Sequence, residues 1–134
     1  MRKGQLKYTI SPNLRVEAEY EVKNGELMIR LGLPYTLEYK CTYTREEDDN
    51  DFFDKGYALF ELKHLIDKIF FVKKHREGFE FVLSEYRKAK EQKAFSSLDM
   101  IGFYHSLIKE HVSADLLPFW IDVYILEDIL VVFN

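Results

Sequence analysis

The clearest pattern of apolar and polar positions lies between Leu14 and Leu33. Apolar residues alternate with charged residues from Leu14 to Val22, and apolar residues recur at every second position from Leu27 to Leu33. Between the two runs, Asn24-Gly25 supplies a pair of residues that tolerate the positive φ angles of a type I′ turn. The pattern therefore predicts a β-hairpin with one buried face.

The two-residue turn also predicts how the hairpin strands pair. In the predicted register Glu19 meets Arg30 on the polar face as a pair of opposite charges. A slip of one residue would move the apolar side chains to the polar face, so the alternation favours this register. The other predicted partners are Lys23 and Glu26, Val22 and Leu27, Tyr20 and Ile29, Ala18 and Leu31, and Val16 and Leu33.

Further runs extend the hairpin to about four strands. Residues 5–10 predict a first strand, and residues 11–13 (Ser-Pro-Asn) predict the turn that follows it. Residues 35–43 form a second alternating run, with Cys41 among its inward positions. Because parallel strands read as continuous apolar runs, these alternating strands predict an antiparallel meander with one solvated face. Pro34 either sits in a tight turn or marks a bend in one long strand.

The spacing of apolar residues changes after Gly56. Intervals of three and four predict an amphipathic helix over 56–74, with Ala58, Leu62, Leu65, Ile69 and Val72 on its apolar side. A second helix is predicted over 79–94. The capping pattern over 96–99 (Ser-Ser-Leu-Asp) predicts a third helix that ends near Val112. An alternative for 69–83 is a β-hairpin with a turn at 75–78, because short apolar runs do not separate strand from helix.

The C-terminal residues 119–134 are rich in β-branched and aromatic side chains, which favours a strand or a hairpin around Glu127-Asp128. The residues that alternation places on one side are Phe119, Ile121, Val123 and Ile125. The whole chain is therefore predicted to be an α+β protein. It would contain an N-terminal antiparallel meander, about three helices on one face, and the C-terminal strand or hairpin. Residues 1–134 are expected to form a single globular domain.

Composition narrows the range of functions. A net charge of −4 argues against direct nucleic-acid binding, which requires a basic surface. With one cysteine, Cys41, no internal disulfide can form, and a reducing compartment fits best. The first residues lack the apolar core of a signal peptide, and no run approaches the roughly 18 apolar residues that span a membrane. A cytoplasmic protein without membrane contact is expected.

The sequence contains no recognisable catalytic or cofactor-binding motif. It has neither the glycine pattern of a phosphate-binding loop nor an HExxH or Cys/His ligand spacing. His105 and His111 are six residues apart, so on one helix their side chains diverge. Cys41 is expected to be a small buried hydrophobic residue and not a nucleophile. No enzyme activity, no cofactor and no metal site are therefore expected.

The acidic segment before the first helix is the strongest candidate for a binding site. Aromatic anchors inside a charged rim are typical of a surface that steers and holds a basic partner protein. The alternative is a solvated connector whose phenylalanines pack under the helix, with Asp54 as its N-cap. The candidate partner-binding residues are Glu46, Glu47, Asp48, Asp49, Asp51, Phe52, Phe53 and Asp54.

These observations predict a non-catalytic protein-binding module. Small size, acidity and the lack of a catalytic motif are common in inhibitors of the immunity or anti-defence type that occlude a partner, although no motif assigns a family. The first alternative is a small-ligand-binding protein with an aromatic pocket between sheet and helices, lined by Tyr20, Tyr35, Tyr39 and Tyr43. The second is a hydrolase or transferase whose site assembles from residues far apart in the sequence.

Overall fold

The structure is a computed structural model that describes residues 2–31, 37–44, 52–113 and 121–132, with only the backbone of Phe52 described. It contains a four-stranded antiparallel sheet and four helices, which confirms the α+β class. The strands are β1 (Arg2–Ser11), β2 (Leu14–Lys23), β3 (Glu26–Leu31) and β4 (Leu37–Thr42). The helices are α1 (Phe52–Lys74), α2 (Arg76–Glu91), α3 (Ser97–His111) and α4 (Val123–Val132).

The chain divides into two compact units, Met1–Asp67 and Lys68–Asn134. The boundary falls inside α1, so the first part of this helix belongs to the sheet-containing unit and its last turns belong to the helical unit. The single-domain organisation stays a prediction. No helix in the described ranges has both the length and the apolar character needed to cross a bilayer.

The central hairpin has the register that the sequence predicts. Lys23 pairs with Glu26, and the partners continue to Ala18 and Leu31, with Glu19 opposite Arg30. Asn24 and Gly25 both have positive φ, at 52° and 76°, as a type I′ turn requires. The predicted Val16–Leu33 pair includes a residue outside the described ranges.

The flanking strands complete a meander in the order β1-β2-β3-β4. The first strand is longer than predicted, and Pro12 and Asn13 form the turn between β1 and β2. The last strand pairs with β3 from Leu37 to Thr42. Pro34, and with it the choice between a turn and a bend, lies outside the described residues.

One face of the sheet carries the core of the first unit. Eight apolar residues of the four strands are buried on this face: Leu6, Ala18, Tyr20, Val22, Leu27, Ile29, Leu31 and Leu37. The first part of α1 contributes Ala58, Leu62, Leu65 and Ile66, all buried. Full burial of a leucine or isoleucine contributes about 1.5–3 kcal/mol, so this interface stabilises the unit strongly. The opposite face of the sheet carries charged pairs such as Arg30 and Glu38, whose side chains lie 2.9 Å apart.

The helices before the C-terminus follow their sequence signals. The residues 69–83 are helical, which excludes the alternative hairpin, and His75 alone separates α1 from α2. The rings of Phe71 and Phe79 meet edge to face across this break, with their centroids 5.8 Å apart. At the start of α3 the Ser96 hydroxyl accepts a hydrogen bond from the backbone N–H of Asp99, as the capping pattern predicts.

The prediction of a C-terminal strand is wrong, because Val123–Val132 forms helix α4. Its buried residues, Ile125, Leu126, Ile129 and Leu130, follow the helical spacing of one and four residues. On the other side Tyr124, Asp128 and Val131 are exposed, and Glu127 is half-buried. The acidic residues of α4 therefore do not interrupt its buried apolar side. The β propensity of the branched residues is overridden by this burial.

The helical unit has its own core, to which α4 belongs. Phe79 and Val82 of α2, Tyr104 of α3, and Leu126 of α4 are almost completely buried. The Tyr104 hydroxyl donates a 2.7 Å hydrogen bond to the carbonyl oxygen of Ile121, just before α4. Burial, together with the nearby Asp122, raises the pKa of Tyr104, so the phenol stays protonated and remains a donor.

Candidate protein-interaction surface

A buried carboxylate holds the first turn of α1 to the sheet. Asp54 is completely buried and forms an ion pair with Arg2 at the start of β1. The same carboxylate accepts a 2.8 Å hydrogen bond from the hydroxyl of Tyr43, which follows β4. A buried charge must be paired and hydrogen-bonded to be tolerated, and Asp54 has both kinds of partner. The sheet thereby fixes where α1 begins.

Three tyrosines lie along the next turns of α1. The rings of Tyr43 and Tyr57 stack with centroids 4.7 Å apart and planes 10° apart. The hydroxyl of Tyr39 donates a 3.2 Å hydrogen bond to Glu61. Burial, together with the adjacent Glu61 carboxylate, raises the pKa of Tyr57 to about 12. Tyr57 is therefore a neutral hydrogen-bond donor at physiological pH.

The side of α1 away from the core carries an aromatic ridge, which comprises Phe53, Tyr57, Phe60 and His64. Successive members are four, three and four residues apart, so they share one side of the helix. Phe53 is 56% exposed and Phe60 is 55% exposed. The ring of His64 meets Phe60 edge-on, with centroids 4.4 Å apart. Two large apolar rings thus face solvent within three turns of one helix.

The predicted partner-binding residues are found in different surroundings. Phe53 is part of the aromatic ridge, and the backbone of Phe52 begins α1. Asp54 lies in the first turn of α1 and not at its N-cap, and its buried carboxylate is engaged by the sheet. Its position therefore suits an anchor of α1, and a contact with a partner stays a prediction. The other five residues, Glu46, Glu47, Asp48, Asp49 and Asp51, lie outside the described ranges.

Sequence reasoning missed most of the aromatic ridge. The predicted site stopped at Asp54 and did not extend to Tyr57, Phe60 and His64 in the helix that follows. The spacing of Phe53, Tyr57, Phe60 and His64 was a readable signal, because it gives α1 a second apolar side opposite Ala58 and Leu62. Arg2 could not be found in this way, since it is 52 residues from Asp54 in the chain.

The tyrosines of the alternative ligand pocket already have intramolecular contacts. Tyr20 is buried on the inner face of the sheet. The hydroxyls of Tyr39 and Tyr43 donate hydrogen bonds to Glu61 and Asp54, respectively. Tyr35 lies outside the described residues. The hydroxyls of Tyr39 and Tyr43 that would orient a small ligand are therefore engaged within the protein.

The histidines and the cysteine of the described residues lie in separate surroundings. In the described part of the chain no three His, Cys, Asp or Glu side chains come close enough together to hold a metal ion. Burial and the nearby Lys109 lower the pKa of His105, against an opposing effect of Asp122. The ring of His111 instead packs on Phe81, with centroids 4.5 Å apart. Cys41 is half-buried.

The fold and this surface define an α+β protein that exposes an aromatic helix ridge beside an acidic segment of its sequence. Comparison with family models, curated proteins and solved structures found no match.

Proposed function

We propose that this chain is a non-catalytic module that binds a partner protein with a basic surface and occludes it. Such a protein would act as an inhibitor or antagonist of the immunity or anti-defence type. The aromatic ridge of α1 carries the proposal, because Phe53 and Phe60 expose more than half of their surface. Contiguous exposed apolar side chains rimmed by polar residues are typical of protein-binding sites.

The chemistry of the ridge suits a protein partner. Aromatic side chains are enriched at interfaces, where a few buried rings contribute most of the binding free energy. Phe60 is supported on one side by His64 and on the other by Tyr57, whose ring centroid is 6.2 Å away. A ring held by its neighbours loses little conformational entropy when it is buried, which favours a role as an anchor.

The acidic segment supplies the charge for a basic partner. Five carboxylates lie between Glu46 and Asp51, and Glu46 is seven residues before Phe53. Seven residues span at most about 25 Å, which is the upper limit on the distance between Glu46 and Phe53. Clustered charge of one sign raises the rate of association with a partner of the opposite sign.

The polar groups around the ridge support a non-catalytic role. The Asp54 carboxylate is paired with Arg2, and Glu61 accepts a hydrogen bond from Tyr39. A general base must be deprotonated near neutral pH, whereas burial and the Glu61 carboxylate raise the pKa of Tyr57 to about 12 and keep it protonated. The contacts of Asp54 and Glu61 hold α1 on the sheet.

The test is affinity capture from the source cell, followed by binding kinetics with the purified partner. Phe53→Ala and Phe60→Ala should each speed dissociation and weaken binding by about 2 kcal/mol, as truncation of a buried anchor does. The matched control is Phe81→Ala, which removes a similarly exposed ring from α2 and should bind like wild type. Equal loss of binding in all three variants, or in none, would refute the proposal.

A further inference from the structure

The first strand, β1, forms one edge of the sheet. The strand order is β1-β2-β3-β4, so β2 lies on one side of β1, and no strand of the described chain lies on the other. The backbone N–H and C=O groups along such an edge are a template for pairing with another strand. At ten residues β1 is the longer of the two edge strands, since β4 has six.

The register shows which backbone groups of β1 point to the open edge. Lys23 and Glu26 flank a two-residue turn and form a hydrogen-bonded pair, and such pairs alternate with unbonded pairs along β2 and β3. The residues of β2 that bond to β3 therefore alternate with those that bond to β1. In β1 the backbone groups that point away from β2 belong to Lys3, Gln5, Lys7 and Thr9.

The side chains of β1 determine which kind of strand this edge favours. None of its ten residues is acidic, and Lys3 and Lys7 are exposed on the polar face of the sheet. On the other face Leu6 is buried, and Tyr8 and Ile10 are half-buried. An added strand would therefore meet cations on one face and apolar side chains on the other.

The strand that already pairs with β1 has the matching pattern. In β2, Glu21 lies opposite Lys3 and Glu17 lies opposite Lys7, and apolar residues alternate with these glutamates. Opposite charges across adjacent strands stabilise a sheet, whereas like charges directly opposite destabilise it. The pairing on one side of β1 thus illustrates the pairing expected on the other.

A cation between two acids also occurs within this sheet. Arg30 of β3 lies opposite Glu19 of β2 on one side and Glu38 of β4 on the other. An acid opposite Lys3 on an added strand would repeat this row, with Glu21 on the far side. The glutamates of β2 would be about 10 Å from the added strand, roughly the Debye length at physiological salt, which weakens their repulsion.

We infer that the open edge of β1 accepts an extended segment of a partner protein, in which acidic and apolar residues alternate, as a fifth antiparallel strand. The site lies on a different element from the aromatic ridge, so it goes beyond the proposed function and does not rest on it. Main-chain hydrogen bonds would supply affinity, and the alternating side chains would supply specificity. Acids four positions apart in the segment would lie opposite Lys3 and Lys7.

A second copy of β1 suits this edge less well. Two such strands would bring four lysine ammonium groups together on one face, with no acid in either strand. Like charges on adjacent strands oppose pairing, and lysines on an edge strand commonly protect against self-association. The lysines therefore favour an acidic partner strand over a copy of this chain.

The test is selection of ten-residue segments from a phage-displayed library, with the full chain as the target. In the library, β-branched apolar residues alternate with positions that carry glutamate, lysine or serine. Selected peptides are then measured with wild type, Lys7→Glu and Lys40→Glu. Lys40 provides the matched control, because it is exposed on the polar face of the other edge strand and its substitution changes the net charge equally.

We expect glutamate-containing peptides that bind wild type and Lys40→Glu alike and bind Lys7→Glu about tenfold more weakly. Lys7→Gln, which places no like charge opposite Glu17, should weaken binding by a smaller factor. Hydrogen exchange by NMR should slow at the amides of Lys3, Gln5 and Lys7 in the complex, because these groups gain acceptors. Lysine or serine peptides, equal affinity for the two Glu variants, unchanged exchange at these amides, failure to enrich any peptide, or a dimer that protects the same amides would overturn the inference.

Discussion

The two sides of the first four turns of α1 are both apolar, but they differ in what covers them. Ala58 and Leu62 are completely buried on the side that faces the sheet. Phe53 and Phe60 lie on the other side and are 56% and 55% exposed. An amphipathic surface helix normally has one apolar stripe. The exposed rings of Phe53 and Phe60 are not covered as Ala58 and Leu62 are, which supports the proposal that they contact a partner protein.

This difference separates stability from binding within one helix. Changes on the buried side should lower the free energy of unfolding, because they remove contacts that exist in the isolated protein. Changes on the aromatic ridge should leave that free energy nearly unchanged and weaken partner binding. Each side therefore serves as a control for the other.

The largest loss of stability is expected from Asp54→Ala. It leaves the guanidinium of Arg2 beside the sheet without the carboxylate that now pairs with it. Breaking a buried ion pair by removing one partner costs about 3–5 kcal/mol, which urea unfolding would measure. In a double-mutant cycle with Arg2→Ala the two losses should not add, since they remove the same interaction. If Asp54→Ala unfolds like wild type, α1 is not held by this pair.

The next largest loss of stability is expected from Leu62→Ala, and Phe60→Ala on the opposite side of α1 is its comparison. Leu62→Ala should lower the free energy of unfolding by about 2–5 kcal/mol, because it opens a cavity in a filled core. Phe60→Ala should change it by less than about 1 kcal/mol, because its ring is already largely in water. Similar unfolding midpoints for the two variants would show that the two sides of the helix do not differ.

Local signals were sufficient for most of the fold. Asn24-Gly25 determined the hairpin register, and Ser96 marked the start of α3, because both act through residues close in the chain. The C-terminal helix was missed since its β-branched residues favour a strand locally, and the decisive burial of Ile125 and Ile129 depends on packing within the helical unit.

The candidate surface was only partly predictable for a related reason. Phe53 was identified through its place beside the acidic segment, which is visible in the sequence. The exposure of Phe60 and the burial of Asp54 depend on which side of α1 meets the sheet. Arg2 in β1 and Tyr43 just after β4 determine the surroundings of Asp54, and neither is a near neighbour of Asp54 in the chain. Such long-range partners leave no periodic signal.

The smallest effect on stability is expected where charge alone is changed. Replacing Glu46, Glu47, Asp48 and Asp49 with Ser should alter the free energy of unfolding by less than about 0.5 kcal/mol if these carboxylates are in solvent. Association with the basic partner should slow and become less sensitive to salt, because steering charges act on the encounter rate. The measurement is stopped-flow association at several salt concentrations. Unchanged rates at low salt would mean that the segment is a solvated connector.

The central claim is that the aromatic ridge is covered in the complex. Hydroxyl-radical footprinting read by mass spectrometry measures the accessibility of individual rings with and without the captured partner. We expect labelling of Phe53 and Phe60 to fall strongly in the complex, while labelling of Phe81 in α2 stays as it is in the isolated protein. If Phe53 and Phe60 are labelled equally in both states while other residues become protected, the partner binds elsewhere and the account is contradicted.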